Sequence, residues 1–480
     1  MAITASTPHS NATKIKHWLW HTDSQIVKRN IKDARTLIAT QKPIEINLAL
    51  SLLDEALAIS PCSDQALELR ARSLLCLRRF KDVADMLQDY IPNLKMANDS
   101  GSDSCVADQN LFEGFPDLMK RVMTNLFRSG SNEGYWRYLV LGEACFHLGL
   151  LDHATILLQT GKSLARTAFR CRSSSWSDDR FSECNISFSD GTISRPPTTK
   201  PYRSPISRPP TTNPSRSTQT KYETINQLLA KTKLHLSHRT TAITAFEAGF
   251  YTEAIRHLSK IIDSFGTPQA FLAECYMLRA LAYRSASRIA DSIADCNRTL
   301  SLDPKCFNAL EARASILESI HCYHDCIHDL ERLKLLYNMI LHDHELFDSA
   351  WKPCNIRYDE IPKKISTITT RIEQLEQKKD NAEIFNVDYY TLMGLPHGCD
   401  QSELERAYLL LDLRHNSEIA TCFIERCELD ENQNIQLIKD RARMFADLLY
   451  KLIEKGHSSV RNTIMEEESY DKFLNCNKQV

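Results

Sequence analysis

Helix breakers are scarce in this chain. Glycine occurs 13 times and proline 17 times in 480 residues, and seven of the prolines fall between Pro196 and Pro214. Outside that stretch little interrupts a helix, so a sheet-rich fold is disfavoured and an all-α chain is expected. An excess of charge of either sign is also missing: Lys and Arg total 59, Asp and Glu 61, a net charge of −2. That near-balance argues against a protein built to coat nucleic acid or a membrane surface. The chain has no run of about 18 apolar residues, so no transmembrane helix is expected. The opening Met1-Ala2-Ile3-Thr4-Ala5-Ser6 lacks a charged region ahead of an apolar core, so it does not read as a secretory signal. The stretch up to Asp23 holds no acid but also no arginine, a weak match to a transit peptide.

Catalytic signatures are missing too. There is no Gly-rich phosphate loop, nucleophile elbow or His-Glu-x-x-His. No enzyme activity, cofactor, catalytic residue, metal site or small-molecule substrate is expected. Glu466-Glu467-Glu468 reads as part of a solvated tail. Sixteen cysteines follow no disulfide-framework spacing and sit within helical patterns, which fits reduced thiols in the cytoplasm or nucleus. In the tract His321 to His328, His324 and His328 stand at i, i+4, the spacing of a shared metal ligand pair. Tyr323, Cys326, Ile327 and Leu330 take packing positions on the same helix and no second ligand cluster is visible, so the tract reads as core. Trp18 and Trp20 beside Lys14 and Lys16 read as a hydrophobic staple on the first helix.

What is present is repetition. Ala49, Leu53 and Ala56 recur at helical spacing and Pro61 ends the helix; Ile293 to Leu302 followed by Pro304 has the same shape. Tyr138 to Ala154 gives an amphipathic helix with a small residue, Gly142, then a Gly149 turn and a second helix opening near Asp152. These segments resemble the tetratricopeptide repeat, a helix-turn-helix unit of about 34 residues. Residues 273–306 match through Tyr276, Ala280, Tyr283, Ile293, Cys296 and Pro304. Residues 135–168 match through Leu141, Gly142, Gly149, Ala154 and Leu158, and residues 235–266 through Ala242, Gly249, Tyr251, Ala254 and Leu258. Residues 307–340 match through Leu310, Ala314, Leu317, Tyr323 and Leu330, and residues 64–92 through Leu67, Ala71, Leu74, Phe80 and Leu87. Small residues let paired helices approach while large apolar ones fill the groove between repeats.

The expected organisation is repeat-like helices over 24–95, a polar linker with a short helix over 96–130, a repeat unit over 131–170, and a Ser/Pro/Thr-rich linker over 171–222. A second array follows over 223–340, then a connecting or capping helix within 341–380, with Ile365, Ile368, Ile372 and Leu375 on one stripe. Ile193-Ser194-Arg195-Pro196-Pro197-Thr198-Thr199 recurs as Ile206 to Thr212, and Arg195 to Lys221 holds six basic residues and no acid. It reads as a solvated linker, with a polyproline ligand as the functional alternative. A linker of that length transmits little rigidity, so the two arrays are not expected to form one superhelix.

From Asn386 the character changes. Asp388-Tyr389-Tyr390, Leu392-Met393-Gly394-Leu395 and Ala407-Tyr408 resemble the J domain of DnaJ-type co-chaperones, over 386–465, with a tail over 466–480. Asp400 or Ser402 is placed to cap the second helix, and Ile435 to Ile453 fits its antiparallel partner. The family's His-Pro-Asp loop stimulates a DnaK-type ATPase; here Asn416, Ser417 and Glu418 stand at those positions, with His415 one residue early and no proline to fix the loop. The basic face of the second helix is reduced to Arg406 and Arg414 beside Glu403, Glu405 and Asp412. Some tetratricopeptide co-chaperones clamp an acidic tail with Lys, Asn and Arg donors; of the matching positions Arg239, Ile243, Leu278, Asn308 and Ala312, only Arg239 has a suitable side chain.

The whole resembles a plant group of J-like tetratricopeptide proteins and, more broadly, animal co-chaperones of that architecture. The resemblance implies an all-α interrupted solenoid with a small C-terminal J-like domain. It implies protein partners, heat-shock chaperones of the DnaK type among them, and no nucleic acid or membrane. Two functions stand: an interaction scaffold whose J-like domain lacks the His-Pro-Asp motif, or an active co-chaperone in which Asn416 and Glu418 still engage the ATPase.

Overall fold

The computed structural model describes residues 9–88, 134–174, 215–343, 358–380, 387–429 and 434–477. They form an all-α stack of helix hairpins. The first hairpins are α1 (His9–Ala39) with α2 (Pro43–Ile59), α3 (Asp64–Cys76) with α4 (Phe80–Gln88), and α5 (Tyr135–His147) with α6 (Leu151–Ser174). Next come α7 (Ser215–Glu247) with α8 (Tyr251–Ile262), α9 (Gln269–Ser285) with α10 (Ile289–Leu302), and α11 (Phe307–Ser319) with α12 (Tyr323–Asp343). Helix α13 (Ile361–Asp380) lies against α12 and buries Ile368, Ile372 and Leu375. The C-terminal module is the short α14 (Tyr389–Met393), α15 (Gln401–His415) and the long α16 (Ile435–Asn477).

One turn joins five of the hairpins. Arg78, Gly149, Gly249, Ser287 and His321 all have positive φ and all stand two residues before the second helix. In each, the next residue's N–H reaches back to the carbonyl five residues earlier, as Leu150 does to Cys145 at 2.8 Å and Arg288 to Tyr283 at 2.8 Å. This is the left-handed helix C-cap, which satisfies carbonyls that the first helix leaves open. Only two of the five are glycine, so a Gly-based search finds less than half of the turns.

Gly142 shows why small residues recur: a Cβ there would lie 2.8 Å from Leu158 Cγ on the partner helix. Proline acts at the boundaries. Pro43 starts α2, and Pro304 follows the end of α10.

The two arrays pack together, contrary to the expectation from the linker. Helix α6 lies against α7. A Cβ on Gly149, in the α5–α6 turn, would sit 2.9 Å from the Phe271 backbone nitrogen at the start of α9. One apolar cluster runs from Ile46 and Leu50 through Trp136, Leu258 and Phe271 to Phe423 and Ile438. Contact between hairpin faces supplies the rigidity, and no stiffness of the connecting segment is needed.

Several sequence expectations are refined. Helix α6 runs to Ser174 and α7 begins at Ser215, so helix extends into both ends of the 171–222 linker. Helix α16 runs to Asn477, so most of the tail expected from 466 continues that helix. The 96–130 linker, the Ile-Ser-Arg-Pro-Pro-Thr-Thr duplication and the side chains of Trp18 and Trp20 lie outside the described residues.

Candidate interaction surfaces

The second array presents two contrasting faces. On one, α9 and α11 enclose a groove of about 750 Å³ that α13 borders. Ala270, Ala273, Met277, Leu278, Leu281 and Ala312 give it an apolar lining. Asn308 and Ser315 add hydrogen-bonding groups, and Glu274, Asp303, Glu311, Arg284 and Arg371 add charge. Leu278, Asn308 and Ala312, three of the positions that the repeat resemblance aligns with a peptide clamp, line this groove.

Arg239, another of those five positions, is placed differently. Its guanidinium lies 3.0 Å from Asp152 Oδ2 on α6 and 3.3 Å from Glu274 Oε1 on α9, and it is largely covered. The residue ties the two arrays to each other. Its charge is already balanced by two carboxylates, so an incoming carboxylate gains little there. The reading of Arg239 as a residual clamp is corrected accordingly: Asp152 and Glu274 already hold its guanidinium.

On the opposite side of the array, α10 is covered by the C-terminal module. Within the module, the short helices carry their own caps. Asp388 caps α14 by accepting from the Thr391 N–H at 3.0 Å, and Gly394 closes it with φ of 72°. Asp400 and Glu403 form a reciprocal capping box on α15. Helices α15 and α16 run antiparallel: Glu405 meets His457 at 3.2 Å, and Tyr408 stacks on His457 with centroids 4.2 Å apart.

The module does not stand apart from the array. Helix α16 lies on α10, where Asn297 Nδ2 donates to the Phe445 carbonyl at 3.2 Å. Phe445 also covers the Arg313 guanidinium at 4.7 Å. Phe423 meets Tyr276 edge-on at 5.6 Å. A two-residue parallel strand pair joins Thr267–Pro268 to Cys427–Glu428. Arg78 donates to the Leu429 carbonyl at 3.0 Å, and His147 lies 3.2 Å from Glu428. The segment 426–429 thus fastens onto both arrays at once.

The loop positions Asn416, Ser417 and Glu418 follow from this docking. His415, just before them, is buried with Nε2 3.2 Å from Asp291 Oδ1 on α10. Arg414 reaches Asp291 Oδ2 at 3.4 Å, and Arg288 pairs with it at 2.7 Å. Burial alone would raise the Asp291 carboxyl, but His415 and Arg288 outweigh it and hold the group down at about 2. Asn416 Oδ1 accepts the Glu418 N–H at 3.0 Å, which fixes the loop backbone, while the Glu418 side chain faces solvent. On α15, Arg414 is drawn to α10, and the exposed surface carries Arg406 together with Leu409, Leu410 and Leu413.

In the His321–His328 tract, the His324 and His328 side chains are exposed, beside Asp325 and Asp329. Cys326 is buried and its Sγ–H donates to the Ala314 carbonyl at 3.1 Å; burial pushes this thiol up to about 12. Cys326 serves packing between α11 and α12.

The ionic spine beneath the covered face was not read from the sequence. Arg279 holds Asp295 through two bonds of 2.6 and 3.0 Å, and Arg313 holds Asp329 through two of 2.7 and 2.6 Å. Arg313 also donates to Asn297 Oδ1 at 2.6 Å. Arg279 and Arg313 stand one repeat apart, as do Asp295 and Asp329, so a search for charge recurring at the repeat period would have found them.

No protein-family model matches the sequence, and no curated protein matches it. Among solved structures, the chain is similar to the TPR2AB-domain:pHSP90 complex of yeast Sti1, at 12% identity and a TM-score of 0.23, over 73% of this chain and 99% of that one. It is also similar to the TPR domain of P58(IPK), at 14% identity and a TM-score of 0.35, over 92% of this chain and 99% of that one. The all-α, tetratricopeptide-like fold is carried by this chain's own geometry, through its five like turns and its Arg–Asp pairs spaced by one repeat. No helix among the described residues is long and apolar enough to cross a membrane.

Proposed function

We propose that this protein is an interaction adaptor of co-chaperone type, not an enzyme, working in the cytoplasm or nucleus. It receives segments of partner proteins in the groove between α9 and α11. Its C-terminal J-like module braces the array from the other side. The observation that carries the reading is the groove itself: about 750 Å³, apolar at its floor, polar at its rim, and left open while α10 on the other side is covered. A photoreactive residue in place of Ser315 tests it, with one in place of Arg406 as a control outside the groove. Partner proteins identified from the adducts and remade in pure form are expected to cross-link from 315 and not from 406. Cross-links confined to 406 would contradict the reading.

The second reading, an active J-domain co-chaperone, needs the 416–418 loop to meet a DnaK-type ATPase. Burial of His415 against Asp291 weighs against it, because site geometry and not fold carries that function. Adding the full chain to such an ATPase is expected to leave its rate unchanged. Asn416→His, Ser417→Pro, Glu418→Asp together are expected to change nothing while the loop stays docked. Stimulation by the wild type would favour the second reading.

A further inference from the structure

The groove has a charge pattern opposite to that of a carboxylate clamp. Three carboxylates, Glu274, Asp303 and Glu311, stand on its lining against two cations, Arg284 and Arg371. One of the cations is already neutralised: Arg371 Nε donates to Glu318 Oε2 at 2.9 Å. Arg284 turns its Nη2 to the Ser315 hydroxyl at 3.1 Å. Behind the groove, Arg239 is shared between Glu274 and Asp152, so that trio carries one negative charge in excess. Burial and the nearby Asp152 raise the Glu274 carboxyl while Arg239 pulls the other way, so a further cation beside it would favour its ionised form. Glu311 is exposed on α11 at the opposite wall. An acidic segment entering here meets like charge on both walls, whereas a cationic one meets opposite charge above an apolar floor.

Resting on the adaptor reading, we propose that the groove binds an extended segment of a partner protein in which arginine or lysine flanks apolar side chains, and that it rejects acidic tails. The apolar side chains seat on Ala273, Met277, Leu278 and Leu281. The flanking cations lie toward Glu274 and Glu311.

Fluorescence anisotropy with the full chain and two short labelled peptides tests this. Both have the same leucine- and alanine-rich centre; one carries two flanking arginines, the other glutamates at those positions. The arginine peptide is expected to bind about tenfold or more tighter, with an advantage that shrinks as salt is raised. Glu311→Lys, at an exposed site, is expected to weaken the arginine peptide about fivefold or more without shifting the thermal melt. Ser315→Trp fills the groove and is expected to abolish binding of the arginine peptide. Tighter binding of the glutamate peptide, or an unchanged affinity in Glu311→Lys, would overturn the charge assignment and leave the adaptor reading standing if Ser315→Trp still blocks binding. Failure of both peptides to bind, together with absent cross-links at 315, would overturn the assignment and the adaptor reading alike.

Discussion

The two faces of the second array are built from the same repeat and end in opposite states. Helices α9 and α11 leave a groove open, whereas α10 is covered by the chain's own C-terminus. The difference lies in what each face presents. The covered face carries Asn297, Arg313 and Asp291, whose hydrogen bonds and charges are completed by the Phe445 carbonyl and ring, His415 and Arg414. The open face carries an apolar floor with Glu274, Asp303 and Glu311 at its edges, and its groove stays open. The repeat thus supplies two faces: one is used internally to brace the fold, and the other stays open, where we propose that a partner binds.

The sharpest way to break this comparison is to attack the spine of the closed face. Arg313→Ala leaves Asp329 buried without its partner and is expected to cost about 3–5 kcal/mol, read by urea unfolding. Replacing both residues with apolar ones of similar volume is expected to recover much of that loss, because no lone charge then stays buried. Loss below about 1 kcal/mol for Arg313→Ala would mean that the pair is solvated in solution.

Acid is a second lever on the closed face. Asp291 is held at about 2 when folded, against about 4 in an unfolded chain. The folded state therefore gains stability above about pH 4 and loses it as pH falls through about 2, an effect on the order of 2 kcal/mol. The stability gap between wild type and Asp291→Asn is expected to close over that window; a constant gap would contradict the pairing with His415 and Arg288.

The seam between the arrays gives a smaller, differential test. Gly149→Ala combines a left-handed φ of 81° with contact at 2.9 Å, and is expected to cost about 2 kcal/mol or more. Gly249→Ala has a similar φ of 80° but open space around it, so about 1 kcal/mol is expected. Equal costs in thermal melts would mean that the arrays do not press together at 149. Least of all, Glu311→Lys on the open face is expected to change stability by no more than about 0.5 kcal/mol. It stands two residues from Arg313 on α11, so the pair separates the two faces within one helix turn.

Much of the helical frame was legible in the sequence. Pro61 and Pro304 follow α2 and α10, Gly149 and Gly249 mark turns, and Ala49, Leu53 and Ala56 mark a buried stripe that the structure keeps. The turns at Arg78, Ser287 and His321 were not legible, because their left-handed backbone is imposed by the hairpin and not announced by glycine. The groove floor was partly visible, since Leu278, Asn308 and Ala312 had been aligned with clamp positions. The commitment of Arg239 to Asp152 was not, because that contact joins segments far apart in the chain. For the same reason the docking of the segment before Asn416 on α10 was not legible. Local pattern fixes elements; pairing between distant elements depends on faces that only the assembled fold brings together.

Amide hydrogen exchange on α10, Ile289–Leu302, in the wild type and in Phe445→Ala, tests the central claim most directly. If the C-terminal module closes this face, the variant is expected to speed exchange in α10 by about tenfold or more while the groove wall α9 changes little. Unchanged exchange in α10 would mean that the module does not hold that face in solution, and the contrast between a closed and an open face would fall.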